Sequence, residues 1–170
     1  MRKILALDLA TRCGWACGAP GTEPAYGTKV LPSTGEDIGR FAGAFNEWLL
    51  DMMTLEDPGV VVFEAPVLAG TTSLATARKL YGLAWHTEFC CQMRQVRVME
   101  HHLQSVKKFF AGSGRASKDD MIAAARRQGW APKDDNAADA LGLWACAVHQ
   151  LAPAHAGRFQ MGGLARAGAA

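Results

Sequence analysis

The sequence lacks the features that indicate a zinc module, a secreted scaffold or a membrane protein. Its five cysteines include no CxxC pair and no cluster with histidine, which argues against a zinc site or a disulfide framework. No apolar run approaches the roughly 18 residues of a membrane span. The first residues are too charged, and their apolar run too short, for a signal peptide. We therefore expect a cytoplasmic protein with reduced cysteines and no membrane association.

Charged residues are also sparse, at 20% of the 170 residues, against 49% hydrophobic residues. This balance is typical of one compact domain, and a net charge of only +2 indicates no partner by itself. The charge is unevenly distributed, however, because residues 94–127 contain eight basic residues and three acids. The basic residues are Arg94, Arg97, Lys107, Lys108, Arg115, Lys118, Arg126 and Arg127. Such a segment suits binding to a phosphate backbone, although a solvated helix face gives the same count.

Apolar patterning predicts alternating strands and helices. Short apolar runs predict strands at residues 3–9, 14–18, 26–31, 60–63 and 95–99. Helical spacing predicts helices from a cap at Ser33 or Thr34 to Met52, and over residues 71–91, 102–110, 117–128 and 135–151. We expect one domain over residues 1–151. The tail, residues 152–170, is rich in Ala and Gly and is expected to be flexible.

Three acidic residues stand where an apolar environment is expected. Asp8 interrupts an apolar strand, and Glu64 closes the apolar run 60–63. Asp139 lies among small residues in a helix whose neighbouring positions must face the core. An ionised carboxylate in such a place is costly unless a cation or hydrogen-bond donors meet it. Because small residues let the helix approach the sheet, the three carboxylates are expected to converge.

Three converging carboxylates without His or Cys favour a hard cation. All-oxygen ligation selects Mg²⁺ or Mn²⁺, and such ions typically act on phosphoryl groups as a pair about 3.5–4 Å apart. The residues therefore predict a divalent-metal site for phosphoryl chemistry and no small-molecule cofactor.

Four segments carry motifs in a defined order: ILALDLAT followed by GWA, VVFE, SVKK through GSGRASK, and DNAADAL. Together they resemble the RuvC family of Holliday-junction resolvases, within the ribonuclease H-like superfamily. The first segment is similar to the family's first strand, the second to its fourth strand ending in a catalytic Glu, and the last to its closing acidic helix. Each motif is weak alone, but the set is specific in this order and at these separations.

The resemblance implies an α/β, ribonuclease H-like fold. Its mixed five-stranded sheet has three antiparallel strands followed by two parallel ones, and helices flank it. The resemblance also implies that Asp8, Glu64 and Asp139 are catalytic and bind two Mg²⁺ ions, with Mn²⁺ as an alternative. The implied reaction is hydrolysis of a DNA phosphodiester in a four-way junction, which leaves 5′-phosphate ends.

Four basic residues receive roles from the same resemblance. Lys107 and Lys118 are assigned a role beside the scissile phosphate or on the flanking backbone, and Lys118 is the catalytic candidate of the two. Lys107, Lys108, Arg115 and Lys118 are together expected to bind DNA.

Two positions depart from the family pattern. Where the family has an acid or a His three residues before the last Asp, this chain has Asn136, a neutral and weaker metal ligand. Asp135 lies on nearly the same helix face as Asp139 and is the other candidate for a fourth ligand. After Glu64, residues 65–68 are aliphatic, whereas bacterial members have an aromatic wedge near that point. Action on flaps and other branched DNA therefore stays open.

Symmetric cutting of a junction by one active site per chain requires a two-fold homodimer. The resemblance places the interface on the helix after Glu64, although burial of the whole apolar set in the core is an equally open interpretation. The apolar residues of this helix are Leu74, Leu80, Tyr81, Leu83, Trp85 and Phe89.

Three alternatives to a junction resolvase remain. An actin-like or sugar-kinase-like domain would also use Asp8 near phosphate, but 170 residues are too few for such a two-domain fold. A non-catalytic junction-binding relative is favoured only by Asn136. A ribonuclease H-like enzyme that acts on RNA or RNA:DNA hybrids is not excluded by the sequence.

Overall fold

A computed structural model describes residues 2–35, 37–68 and 70–157. The strands found there are β1 (Ile4–Asp8), β2 (Arg12–Gly18), β3 (Ala25–Val30), β4 (Val60–Glu64) and β5 (Arg97–His101). The helices are α1 (Ile38–Glu56), α2 (Leu74–Met93), α3 (Leu103–Ala111), α4 (Lys118–Arg127), α5 (Asp135–Leu151) and α6 (Pro153–Ala156).

The strands form one sheet in the order β3-β2-β1-β4-β5. β2 pairs antiparallel with both β1 and β3, whereas β4 pairs parallel with both β1 and β5. This confirms the predicted mixed sheet of three antiparallel strands followed by two parallel ones. Because β1, β4 and β5 run in the same direction, their carboxyl ends lie at one edge of the sheet.

Alternation of side chains along the strands divides the core into two layers. Ile4 and Ala6 of β1 pack in a cluster with α3, α4 and α5, while Leu5 and Leu7 pack in a second cluster with α1 and α2. Helices therefore cover both faces of the sheet, which explains why β1 and β4 are apolar throughout except at their last residue. In α5, every residue from 140 to 148 is buried.

Some helix ends differ from the predicted ones. The cap of α1 is Asp37, which accepts a hydrogen bond from the Arg40 amide, so the predicted cap at Ser33 or Thr34 is wrong. The physical reason lies at Gly35, whose φ of 56° is a left-handed turn that separates those residues from the helix. The helix α2 begins at Leu74 and ends at Met93, so both of its ends lie later than the predicted range 71–91.

The predicted start of α4 is confirmed. Ser117 and Asp120 form a reciprocal capping box, in which each side chain accepts a hydrogen bond from the backbone of the other.

The tail predicted as flexible, residues 152–170, is described as far as Gly157. Its first part forms the short helix α6, in which Ala156 is buried, and α6 packs on α5. Residues 158–170 lie outside the described residues. None of the described helices is long and apolar enough to cross a membrane.

Candidate active site

Asp8 and Glu64 occupy the ends of two neighbouring parallel strands. Leu7 of β1 pairs with Phe63 of β4, so the next residues, Asp8 and Glu64, end both strands at the same edge of the sheet. Asp8 is two residues after Ala6, and Glu64 is two residues after Val62. Because residues two apart in a strand point to the same face, both acidic side chains project to the face that α5 covers. Asp8 and Glu64 are each partly buried.

The helix α5 approaches this edge closely at Gly14. Gly14 pairs with Asp8 across β1 and β2, and a Cβ added at Gly14 would collide with the backbone carbonyl of Asn136 in the first turn of α5. Only glycine permits this contact. The first two turns of α5, which carry Asp135, Asn136 and Asp139, are thereby held over the strand next to Asp8.

The side chains of Asp8, Glu64 and Asp139, here called the carboxylate cluster, interact electrostatically. Burial and the charges of Glu64 and Asp139 raise the pKa of Asp8 well above its usual range. Burial and then the charge of Asp139 raise the pKa of Glu64 to about 7, and burial raises that of Asp139 to about 6. Oδ1 of Asp139 is buried and has no hydrogen-bond partner among the described residues.

Two of the four predicted DNA-binding residues lie beside the carboxylate cluster. The charge of Lys107 on α3 lowers the pKa of both Glu64 and Asp139, against the larger effect of burial, and its Nζ donates to the Ala116 carbonyl at 3.0 Å. Lys118 forms an ion pair with Asp135.

The ion pair with Lys118 affects Asp135, one of the two candidates for a fourth metal ligand. A hydrogen bond from Lys118 lowers the pKa of Asp135, which keeps this carboxylate ionised. The side chain of Lys118 is 77% exposed, so the pair lies at the surface beside the cluster. The other two predicted DNA-binding residues, Lys108 and Arg115, are exposed on the same α3–α4 segment.

The donor set fits a hard divalent cation. The cluster offers only carboxylate oxygens, one of which is buried without a partner, and burial raises the pKa of all three groups. In the described part of the chain, no three His, Cys, Asp or Glu side chains are arranged to hold a metal ion as they stand. Like-charged carboxylates repel one another, and the charge of a cation is what would draw them together.

Sequence reasoning missed Asp134, the residue that caps α5. Its Oδ1 accepts hydrogen bonds from the Ala137 amide at 3.0 Å and from Thr28 Oγ1 at 2.6 Å, and its Oδ2 pairs with Arg12 at 3.3 Å. An acid directly before a helical pattern is a cap signature that could have been read from the sequence. The partners could not, because Thr28 and Arg12 are 106 and 122 residues away.

His101, at the end of β5, was also missed. It pairs with Glu64 across β4 and β5 and is only 8% exposed. Its Nε2 is buried with no hydrogen-bond partner among the described residues, and burial lowers its pKa. The structure thus places a buried imidazole on the strand next to Glu64.

The sheet order and the carboxylates at the ends of β1 and β4 define a ribonuclease H-like α/β fold. No protein-family model matches the sequence, and no curated protein matches it. Among solved structures, Thermus thermophilus RuvC superimposes with a TM-score of 0.68 at 21% identity, covering 87% of this chain and 95% of that one. Thermus thermophilus RuvC in complex with Holliday junction substrate gives 0.69 at 20% identity, covering 84% and 90%.

A third solved structure is more distant in sequence. The yeast mitochondrial Holliday junction resolvase gives a TM-score of 0.63 at 11% identity, covering 84% of this chain and 76% of that one. The fold of the chain is therefore RuvC-like, which confirms, at the level of the fold, the resemblance seen in the motifs.

We predict that Gly14→Ala destabilises the protein by about 1–3 kcal/mol, because α5 must move away from β2 to admit the methyl group. Urea unfolding measures the change. Gly43→Ala in α1 is the matched control, since a Cβ there meets nothing within 4 Å. The control should be neutral or stabilising by up to about 1 kcal/mol. Equal stability of the two variants would contradict the close contact with Asn136.

We also predict that the stability of the metal-free protein falls as the pH rises from about 4 to 7. The folded-state pKa values of Glu64 and Asp139 are raised to about 7 and 6, so the folded state binds more protons than the unfolded state in this window. Asp139→Asn removes one of the repelling charges and should stabilise the metal-free protein at pH 7.5 by about 1–3 kcal/mol.

Urea unfolding in EDTA at pH 5 and pH 8 measures this effect. The Asp139→Asn variant should lose less stability between the two pH values than the unmodified chain. An equal loss in both proteins would show that the pKa of Asp139 is not raised in the folded protein.

Proposed function

We propose that this chain is a structure-selective endodeoxyribonuclease that resolves four-way DNA junctions by metal-dependent phosphodiester hydrolysis, leaving 5′-phosphate ends. The observation that carries the proposal is the carboxylate cluster at one edge of a RuvC-like sheet, with Lys107 and Lys118 beside it. The solved structures of similar fold include a RuvC in complex with Holliday junction substrate, which supports branched DNA as the substrate.

Asp8, Glu64 and Asp139 would hold the Mg²⁺ or Mn²⁺ ions, and Asn136 and Asp135 are the candidates for a further ligand. When bound, such a pair of ions would supply an activated water and stabilisation of the leaving 3′ oxygen. Asp8 and Glu64 stand at the ends of paired neighbouring strands, so their backbone positions are fixed before substrate binds.

The lysines have a complementary role. Lys107 is partly buried, and its ammonium is anchored on the Ala116 carbonyl, which makes it a fixed positive charge close to Glu64 and Asp139. Such a charge offsets negative charge that develops on the phosphate. The ammonium of Lys118 is paired with Asp135, but the side chain is exposed. A phosphate at the mouth of the site can therefore reach it.

Lys108 and Arg115 extend this positive charge along the α3–α4 segment, away from the carboxylate cluster. We assign them to the flanking DNA backbone, where Lys and Arg position a duplex without reading its sequence. Binding of this kind weakens steeply with salt.

Cleavage of flaps and other branched DNA is the second candidate function. Val67 and Leu68, which follow β4 at the site, are exposed to 67% and 41% and are aliphatic. The side chains of Val67 and Leu68 have no aromatic ring on which a base pair at the junction centre could stack. Weaker discrimination between four-way junctions and other branches follows from this difference.

A non-catalytic DNA-binding protein is a poorer account of the site. Three partly buried carboxylates with raised pKa values destabilise the fold and repel DNA. Without a cation to bind, the three carboxylates would only lower the stability of the fold and weaken DNA binding.

We further propose that the protein acts in the reducing environment of the cytoplasm. All five cysteines are buried, free thiols, and burial raises the pKa of Cys17 and Cys91 to about 12 and that of Cys146 to about 11.

A homodimer built on α2 would supply the second active site. One stripe of α2 exposes large apolar side chains, and Trp85 stacks on Phe89 with ring centroids 5.6 Å apart. Leu83, one of the residues expected at the interface, is instead buried in the core. The exposed residues of this α2 stripe are Leu74, Tyr81, Trp85, Phe89 and Met93. An apolar stripe of this kind is typical of a protein–protein contact.

We predict that the purified protein makes paired, symmetric nicks in a mobile four-way junction in Mg²⁺ and none in EDTA. Asp8→Asn should lower the rate by more than about 100-fold, since the variant loses a metal ligand. Asp51→Asn, at an exposed acid of α1, is the matched control and should cut normally.

Gel assays with labelled junction, flap, linear duplex and RNA:DNA hybrid substrates measure the selectivity. Comparable rates on flap and junction would favour the broader nuclease, and preferential cutting of the hybrid would favour a ribonuclease. Binding without cutting in either Mg²⁺ or Mn²⁺ would contradict the enzymatic proposal.

We predict that Trp85→Ser weakens self-association by roughly 30-fold or more, because loss of a central aromatic anchor costs about 2 kcal/mol or more. Sedimentation velocity over a concentration series measures the dimer constant. Val30→Ser provides the control, because Val30 is 56% exposed but lies on β3, at the opposite edge of the sheet from β5. A dimer unaffected by Trp85→Ser would place the interface elsewhere.

A further inference from the structure

The first turn of α5 is attached to β3, an edge strand of the sheet, through the residue that caps the helix. Asp134, directly before α5, uses both carboxylate oxygens. Oδ1 accepts from the Ala137 amide and from Thr28 Oγ1, and Oδ2 pairs with Arg12. With both oxygens engaged by protein donors, Asp134 is committed to this contact, unlike the partnerless Oδ1 of Asp139.

Thr28 lies in the same cross-strand row as Asp8. Thr28 of β3 pairs with Gly14 of β2, and Gly14 pairs with Asp8 of β1. The first turn of α5 contacts this row at two neighbouring points, because Asp134 bonds to Thr28 and the Asn136 carbonyl packs on Gly14. Two points fix both the position of the helix along the row and its rotation about its own axis. Asp139, one turn further along α5, is thereby placed relative to Asp8.

The two contacts have different physical characters. The packing on Gly14 limits how closely α5 can approach, but it does not prevent the helix from sliding or rolling. The hydrogen bond from Thr28, at 2.6 Å, and the ion pair with Arg12 are directional, so they resist sliding and rolling of the helix. The ion pair of Lys118 with Asp135 holds the same turn from α4, but Lys118 is much more exposed than Asp134, whose side chain is 24% exposed.

We propose that Asp134, acting through Thr28, is a positioning residue that sets the distance between the carboxylates of Asp8 and Asp139 and so sets the affinity of the site for divalent cations. This proposal rests on the proposed function, because it assumes that the carboxylate cluster binds metal. Asp134 has both carboxylate oxygens engaged by protein donors, so it would act on the metal through the position of α5.

Mn²⁺ binding without DNA, followed by the electron paramagnetic resonance of free Mn²⁺, tests the proposal apart from catalysis. Asp134→Ala should weaken Mn²⁺ binding by about 10-fold or more, the usual scale for losing a residue that orients a ligand. Asp134→Asn should stay within about threefold of the unmodified chain, because the amide oxygen still accepts from Thr28 and Ala137.

Asp37→Ala is the matched control, since Asp37 caps α1 through a single hydrogen bond to the Arg40 amide. Both Ala variants lose a helix cap, so both should lower the urea midpoint, and Asp134→Ala should lower it further because it also loses the contacts with Thr28 and Arg12. Only Asp134→Ala should lower Mn²⁺ affinity. In junction cleavage with saturating substrate, Asp134→Ala should lower kcat at fixed Mg²⁺ with little change in KM.

Thr28→Val tests the same link with the helix cap intact, and it answers the question even if Asp134→Ala does not fold. It should weaken Mn²⁺ binding by about threefold or more, with Ala137 still capped by Asp134. Mn²⁺ affinities of Asp134→Ala and Thr28→Val within twofold of the unmodified chain would overturn the positioning role and leave the nuclease proposal intact. An unmodified chain that neither binds Mn²⁺ nor cuts junctions would overturn both.

Discussion

The contact between Gly14 and the Asn136 carbonyl is the constraint on which the candidate site depends. Asp8 and Glu64 are set by strand pairing and need only the sheet, but Asp139 belongs to a helix that must come within reach of them. A side chain at position 14 would hold α5 away from β2. Because Gly14 has no Cβ, α5 can lie close enough for Asp139 to join the two carboxylates of the sheet. Asp134 then fixes the helix in that position.

The cluster is tolerated because α5 is so well packed elsewhere. Residues 140–148 are all buried, and Trp144 donates a hydrogen bond to the Gly18 carbonyl, so the helix is fixed over β1 and β2 along its length. Burial of apolar surface contributes about 25 cal/mol per Å², and this favourable contribution opposes the cost of poorly solvated carboxylates. Stability supplied by the C-terminal part of α5 thus offsets repulsion at its N-terminal part, as expected where function requires charge in a low-dielectric place.

Much of this architecture could be predicted from the sequence, because it depends on local patterns. Asp8 and Glu64 were recognisable as acids that end apolar strands, and the capping box of α4 as a four-residue motif. The cap of α1 was misplaced because a left-handed Gly35, invisible in the apolar pattern, delays the helix. The links from Asp134 to Thr28 and Arg12, and from Lys118 to Asp135, were not predictable, since each joins segments that only the tertiary structure brings together.

The raised pKa values also bear on how the site would select its ligand. Protons and divalent cations compete for the same carboxylate oxygens, and a group with a pKa of about 6 or 7 binds protons readily at the acidic end of the physiological range. A proton neutralises one negative charge, whereas a divalent cation neutralises two. Closely placed, poorly solvated carboxylates therefore gain more from a divalent cation than isolated ones do. The spacing of Asp8 and Asp139 decides how large that gain is, and this spacing is set by the first turn of α5.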